Sequence, residues 1–250
     1  MSEALDPAIL DFFADLPQQG PGRDSETALV LGRIRDRLPA NAAVADFGCG
    51  TGRATLVLAR ELPDATITAL DLSEAFCRRL SAEVTRRGLA HRVHVRQGDM
   101  AAPPVAHGSL DLLWCEGAAY VIGFAGALER WRPLLKPGGV AVVSECTWLA
   151  GERPADVAEF WAAAYPAMGS REDNIARAAS AGYHVVDTHT LPVGAWDDYY
   201  GPIAKAMAEG RAAHLGSAFE AELHREQAIF TAGRGSYGYV FYIVKPRQNL

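Results

Sequence analysis

Apolar runs of strand length alternate with helix-length amphipathic patterns from residue 43 to about residue 146. Ala43–Phe47, Thr66–Leu70, Val93–Gln97, Leu110–Cys115 and Gly139–Glu145 predict strands; Thr51–Glu61, Glu74–Arg87 and Phe124–Leu135 predict the helices between them. Such alternation implies right-handed crossovers, hence a mostly parallel sheet with helices on both faces. Gly88 ends one helix, and Lys136-Pro137-Gly138-Gly139 stops another before a strand begins. Further on, 154–181 reads as two helices joined at Pro166, His184–Leu191 as a sixth strand, and Trp196–Gly210 and Leu215–Thr231 as helices. Tyr237–Val244 reads as a terminal strand.

The first 42 residues carry two amphipathic stretches, Ile9–Leu16 and Thr27–Leu38, around the breaker Gln19-Gly20-Pro21-Gly22. They predict a helical cover over the sheet's C-terminal edge. No repeat or low-complexity linker divides the chain, so a single domain over 1–250 is expected. Its parts are a cover (1–42), a ligand-binding core (43–147), cap insertions with the sixth strand (148–235) and a terminal strand (236–250).

The stretch Val44-Ala45-Asp46-Phe47-Gly48-Cys49-Gly50-Thr51-Gly52-Arg53 is a buried strand running into a glycine-packed turn and then a helix. Spaced glycines let the backbone turn sharply and approach a ligand, and the helix start offers free N–H groups and the positive dipole end. The spacing is G-x-G-x-G, and Arg53 stands where a dinucleotide fingerprint needs its third glycine. That argues against a nicotinamide oxidoreductase. Asp71 lies 19 residues past Gly52 at the end of the second predicted strand, where an acidic side chain accepts ribose hydroxyls while Ser73 caps the next helix. Glu116 and Glu145 each end an apolar run on neighbouring predicted strands, so each reads either as a crevice carboxylate, in which case the two could converge, or as a buried, hydrogen-bonded structural one.

The chain has 250 residues, 49% of them hydrophobic, and a net charge of −6. That balance speaks against an electrostatic nucleic-acid binder, and the Arg78-Arg79/Arg86-Arg87 cluster reads as a solvated helix face. The start has no basic n-region with a long apolar run, and no window of about 18 apolar residues suggests a membrane span. A cytoplasmic protein without membrane partners is expected. Cys49, Cys77, Cys115 and Cys146 are far apart and read as reduced, buried thiols; no Cys/His cluster suggests a metal.

Asp46 with Gly48, Gly50 and Gly52 resembles motif I, D/E-x-G-x-G-x-G, of the class I S-adenosylmethionine (SAM) methyltransferases. Trp114–Phe124 and Ser144–Pro154 are similar to a bacterial small-molecule subgroup with W-x-E-G-A-x-Y-x-x-G-F and S-E-x-x-W. Gln19–Gly22, Trp196/Asp198/Tyr200 and Tyr237–Ile243 extend that likeness over nearly the whole chain. The resemblance implies a Rossmann-like α/β fold with a seven-stranded, mostly parallel sheet and a helical cap. It implies methyl transfer from SAM to a small-molecule acceptor by in-line displacement, leaving S-adenosylhomocysteine. The implied cofactor contacts are Asp46, Gly48, Gly50, Gly52, Asp71, Leu72, Asp99, Met100, Glu116 and Gln19, with Asp99 and Met100 at the adenine. Arg23 joins Gln19 as a candidate for the methionyl carboxylate. Glu116, Glu145 and Tyr120 are the candidates for orienting or deprotonating the acceptor; Trp148, Trp196, Tyr199 and Tyr200 read either as ordinary cap core or as the walls of its pocket. The alternative is a SAM-fold protein with non-methylating chemistry or a binding role. An exposed face on the terminal strands would suit a homodimer.

Overall fold

The computed structural model describes residues 6–247; the outer ends of the expected cover and terminal segment, 1–5 and 248–250, lie outside the described residues. The parallel core follows from the alternation. Strands β1 (Ala43–Phe47), β2 (Thr66–Asp71), β3 (Val93–Gln97), β4 (Leu110–Glu116) and β5 (Leu135–Trp148) are linked through helices α3 (Arg53–Glu61), α4 (Glu74–Arg86) and α5 (Phe124–Trp131). Two helices, α1 (Pro7–Ala14) and α2 (Asp24–Gly32), precede them. Beyond β5 come α6 (Ala155–Ala164), β6 (Gly169–Ser170), α7 (Arg171–Ser180), β7 (Tyr183–Thr190), α8 (Gly194–Ala208), α9 (Ser217–Ala232) and β8 (Tyr237–Pro246).

The sheet order is β3-β2-β1-β4-β5-β8-β7, with β6 paired to the end of β5, making eight strands among the described residues. The seven expected strands are present; the eighth is the two-residue β6, which starts the capping box of Ser170 and Asp173 at the head of α7. β1 to β5 are mutually parallel, and β8 runs antiparallel to both β5 and β7. β8 is buried from Tyr237 to Val244 between those neighbours, so it has no exposed face; β7 forms that edge instead. Tyr237–Val244 is apolar at nearly every position because both of its faces are covered. β5 runs longer than expected, because pairing with β8 carries it out to Trp148.

Helices cover both faces of the sheet. One core cluster gathers Val44, Trp114, Val142 and Trp196; the other gathers Phe47, Trp131, Val143 and Tyr242. A third joins Phe12 and Leu16 of the N-terminal segment to Ile203 of α8 and Leu223 of α9, so cover and cap share one apolar seam. Side chains alternate between faces along each strand. That alternation decides where the charged ends of β4 and β5 point.

Candidate cofactor and acceptor site

The loop between β1 and α3 is held by its own glycines. Gly48, Gly50 and Gly52 have φ of +68°, +56° and +94°, a region that costs other residues. Space adds a second reason at each: a Cβ on Gly48 would lie 2.3 Å from the Cβ of Ala118, one on Gly50 2.6 Å from Gln19 Oε1, and one on Gly52 2.0 Å from Leu80 Cδ1. The loop therefore packs directly on the turn after β4 and on α4.

Around this loop lies a cavity of about 180 Å³, lined among others by Gln19, Asp46, Gly48, Gly50, Asp71, Glu116 and Tyr120. Ligand sites usually hold roughly 300–1,000 Å³. This one is smaller because Gln18–Pro21 of the cover and Tyr120–Val121 reach over it. A larger groove of about 530 Å³, lined by Arg60, Arg79 and Arg86, opens on the α3–α4 surface, and neither β4 nor β5 contributes to it.

Three carboxylates on the cavity are tied down. Asp71 accepts hydrogen bonds from the Gly50 amide at 2.8 Å and the Ser73 amide at 2.9 Å, while burial raises its pKa. Ser73 caps α4 as expected, its side chain accepting from Phe76 N–H. Asp46 is buried and accepts from Thr55 Oγ1 at 2.5 Å; desolvation pushes its pKa up to about 7 against that bond. Glu116 is bonded on both oxygens: Oε1 accepts from Thr27 Oγ1 at 2.8 Å and Trp114 Nε1 at 2.7 Å, and Oε2 takes the guanidinium of Arg53. Arg53 also reaches Thr27 at 3.1 Å and Asp24 at 3.4 Å. The residue that replaced a fingerprint glycine is thus the bolt between α2 of the cover, α3 and the end of β4.

Gln19 serves the same junction. Its Oε1 accepts from Thr51 N–H at 2.9 Å and Thr51 Oγ1 at 3.0 Å, and its Nε2 donates to Phe13 O at 2.8 Å. Its amide is spent on holding the cover to the loop before α3, which differs from the expected carboxylate contact. Arg23 faces away, paired with Asp198 and donating to Gly194 O. Leu72, Asp99 and Met100 lie off the cavity lining. Leu72 is 70% exposed and Asp99 accepts from the Ala101 amide, while Met100 packs at the turn near Gly48. Gly52 packs on Leu80 and does not line the cavity.

Glu116 and Glu145 do not converge. The β4–β5 register sets Glu116 opposite Ser144, so Glu145, one residue on, leaves the sheet on the other face. Glu145 is 1% exposed, neither oxygen has a hydrogen-bond partner among the described residues, and burial raises its pKa to about 7. The Tyr165 hydroxyl is near enough to pull that value down somewhat, but not in hydrogen-bond geometry. Tyr165 packs edge-on against Tyr120 with ring centroids 5.8 Å apart. Tyr120 is 45% exposed at the cavity's lip.

The cap aromatics divide. Trp196 is buried, stacked between Phe230 at 5.3 Å and Tyr239 at 5.5 Å, and Trp148 packs edge-on to Tyr237 at 6.1 Å. Both are cap core rather than pocket wall, because the antiparallel β8 brings its own aromatics against them. Tyr199 and Tyr200 are half-buried and pack on each other at 5.0 Å, also off the cavity. Sequence reasoning assigned no role to Thr27, Thr55 or Tyr165. Thr27 owes its place to a contact between distant segments, Thr55 reaches back nine residues to Asp46, and Tyr165 stands beside the Pro166 break. The four cysteines are free and buried.

Residues 44–139 match the family described as methyltransferase domain. Over 97% of the chain, the fold superposes on a SAM-dependent methyltransferase from Geobacter sulfurreducens in complex with S-adenosylhomocysteine, with a TM-score of 0.81, 22% identity and 99% of that chain covered. The Escherichia coli protein YjhP is 28% identical over 82% of both chains, and its crystal structure superposes with a TM-score of 0.80. A malonyl-[acyl-carrier protein] O-methyltransferase from Dechloromonas aromatica is 35% identical over 45% of this chain and 40% of its own length. The glycine cradle suits close approach of a nucleoside, and carboxylates suit hydroxyls and a sulfonium, so the residues present fit SAM. The sheet order and the glycine loop are those of a Rossmann-like methyltransferase fold, and residues 44–139 match a methyltransferase domain.

Proposed function

We propose that the protein transfers the methyl group of SAM to a small-molecule acceptor by in-line displacement. We place it with the bacterial subgroup that shares the Trp114–Phe124 and Ser144–Pro154 motifs. The observation that carries this reading is the enclosure of the cavity: Gln18–Pro21 and Tyr120–Val121 close over the strand ends, which leaves no open trough for a nucleic acid or a folded protein. The opposite charge sign to nucleic acid is absent as well, since the chain carries a net charge of −6.

When bound, SAM supplies an electrophilic methyl on a sulfonium. The chain supplies position. Gly48 and Gly50 form the cradle, with the Asp46 carboxyl buried beneath it. Asp71, already placed by two amides, receives the ribose hydroxyls, and Leu72, Asp99 and Met100 on the adjoining ends of β2 and β3 flank the adenine. Glu116 holds the wall in place from its ion pair with Arg53. Tyr120 and Glu145 stand on the acceptor side. Holding nucleophile and methyl in line supplies most of the acceleration in a displacement of this kind. Because the cover lies across the cavity, it opens for entry and closes for reaction, which excludes water.

The test is incubation with methyl-labelled SAM and a metabolite extract, followed by mass analysis. Label in a metabolite, with S-adenosylhomocysteine formed in equal amount, supports the reading. Bound SAM with no labelled product and no S-adenosylhomocysteine refutes it and favours a binding role.

A further inference from the structure

Every crevice carboxylate at the ends of β1, β2 and β4 is met by donors supplied by the protein, and the one at the end of β5 is not. Glu145 is 1% exposed with both oxygens unpartnered among the described residues. A buried carboxylate without donors costs several kcal/mol, and such a group calls for an explanation in use. Among the described residues no lysine or arginine bonds it. The cation whose field reaches it is Arg177, whose guanidinium donates to Asn174 Oδ1 at 2.8 Å.

What surrounds Glu145 is aromatic and hydroxylic. Tyr165 lies beside it, and Tyr120, which packs on Tyr165, also lines the SAM cavity. The Tyr239 hydroxyl approaches Gly117 on the same cavity wall, where an added Cβ would be 3.5 Å away. Glu145 therefore stands behind the β4–β5 wall of the crevice, screened by tyrosine rings. A ligand that completes this spot has to bring N–H donors and positive charge. Ring faces and an unpaired carboxylate suit a cation and repel an anion.

We propose that the methyl acceptor is a basic amine, and that Glu145, with Tyr165 beside it, receives its N–H. This rests on the methyl-transfer reading. An ammonium entering the site gives one N–H proton to the Glu145 carboxylate, which becomes a carboxylic acid, and the nitrogen lone pair is freed. The N–C bond then forms as the C–S bond breaks, and the bonding pair of that C–S bond stays on sulfur. The product leaves as a methylammonium, and Glu145 passes its proton to water, so one proton is released for each methyl transferred.

The experiment uses the full chain, methyl-labelled SAM and a bacterial metabolite extract split by ion exchange into cationic, neutral and anionic fractions. The expected result is label on nitrogen in the cationic fraction. In Glu145→Gln, the KM for that fraction's acceptor should rise at least tenfold while SAM affinity stays within about twofold. Tyr165→Phe is the milder variant, expected to raise the same KM about threefold with SAM affinity kept. Label confined to the neutral or anionic fraction overturns the amine assignment and leaves methyl transfer standing. An amine labelled equally well by Glu145→Gln and Tyr165→Phe overturns the role of Glu145. No label in any fraction, with SAM bound, overturns methyl transfer and this inference together.

Discussion

The β1–β4 side of the crevice and the β5 side treat their carboxylates in opposite ways. On the first, Asp46, Asp71 and Glu116 are each held by Thr55, by backbone amides, or by Thr27, Trp114 and Arg53. These are short-range or bolted contacts that need no ligand. On the second, Glu145 is as deeply buried as Asp46 and has only the Tyr165 hydroxyl beside it, outside hydrogen-bond geometry. A protein spends stability at such a point when a ligand repays it in binding. On the proposed function, the first side is a rigid cradle for the cofactor and the second a surface that an acceptor completes.

Breaking the bolted side should have the largest effect. Arg53→Ala removes the partner of a mostly buried carboxylate, which costs roughly 3–5 kcal/mol when the remaining charge has no substitute. Urea unfolding should show it, and limited proteolysis should cut earlier near Gly20 as the cover loosens. A loss under about 1 kcal/mol would show that Glu116 is hydrated and that the bolt matters little.

The unpaired side should show itself in the pH dependence of stability. Burial raises the folded pKa of Glu145 to about 7 from 4.5, so the folded state prefers the neutral form. Its contribution is fully present below the unfolded value and is lost as pH rises through 7. Glu145→Gln removes that loss: relative to the parent, the variant should gain roughly 2–3 kcal/mol between pH 5 and pH 8 in denaturation midpoints converted to free energy. Asp46 titrates over the same range in both proteins, so only the difference between them reports Glu145. A flat difference would mean that Glu145 finds donors in solution.

A smaller effect sharpens the cofactor half. Asp71→Ala should weaken SAM roughly tenfold or more, about 1.4 kcal/mol, by calorimetric titration. It loses the anchor of the Gly50 amide and, on the proposed reading, the acceptor of the ribose hydroxyls. Unchanged affinity would remove Asp71 from the ribose.

The smallest change is at the cover. Gln19→Ala deletes the bonds to Thr51 and Phe13, a net loss of about 1 kcal/mol. Its signature is kinetic: faster hydrogen exchange at the Gly50–Thr51 amides and faster SAM release, with turnover at saturating SAM little changed. Slower release would place Gln19 outside the gate.

The α/β core was legible because each element announced itself locally. β1 begins and ends where its apolar run does, since burial on both faces demands a continuous apolar strand, and α4 begins at the Ser73 cap. The glycine loop was legible too, because only glycine tolerates three successive positive-φ sites packed that tightly. The acceptor side was not. Trp148 and Trp196, which the sequence left open between cap core and pocket wall, are packed into the core by β8, a strand that returns from the far end of the chain.

The sequence by itself determined the parallel core, the motif I turn and the residues that follow each strand, because strand period and glycine spacing are local properties of the chain. Whether two carboxylates meet, which arginine bolts the cover, and which glutamate is left without a partner were decided only in three dimensions. A one-residue difference in strand register sends Glu116 to Arg53 on one face of the sheet and Glu145 to the tyrosines on the other. Register is set by pairing and packing across the sheet, and no stretch of sequence carries it alone.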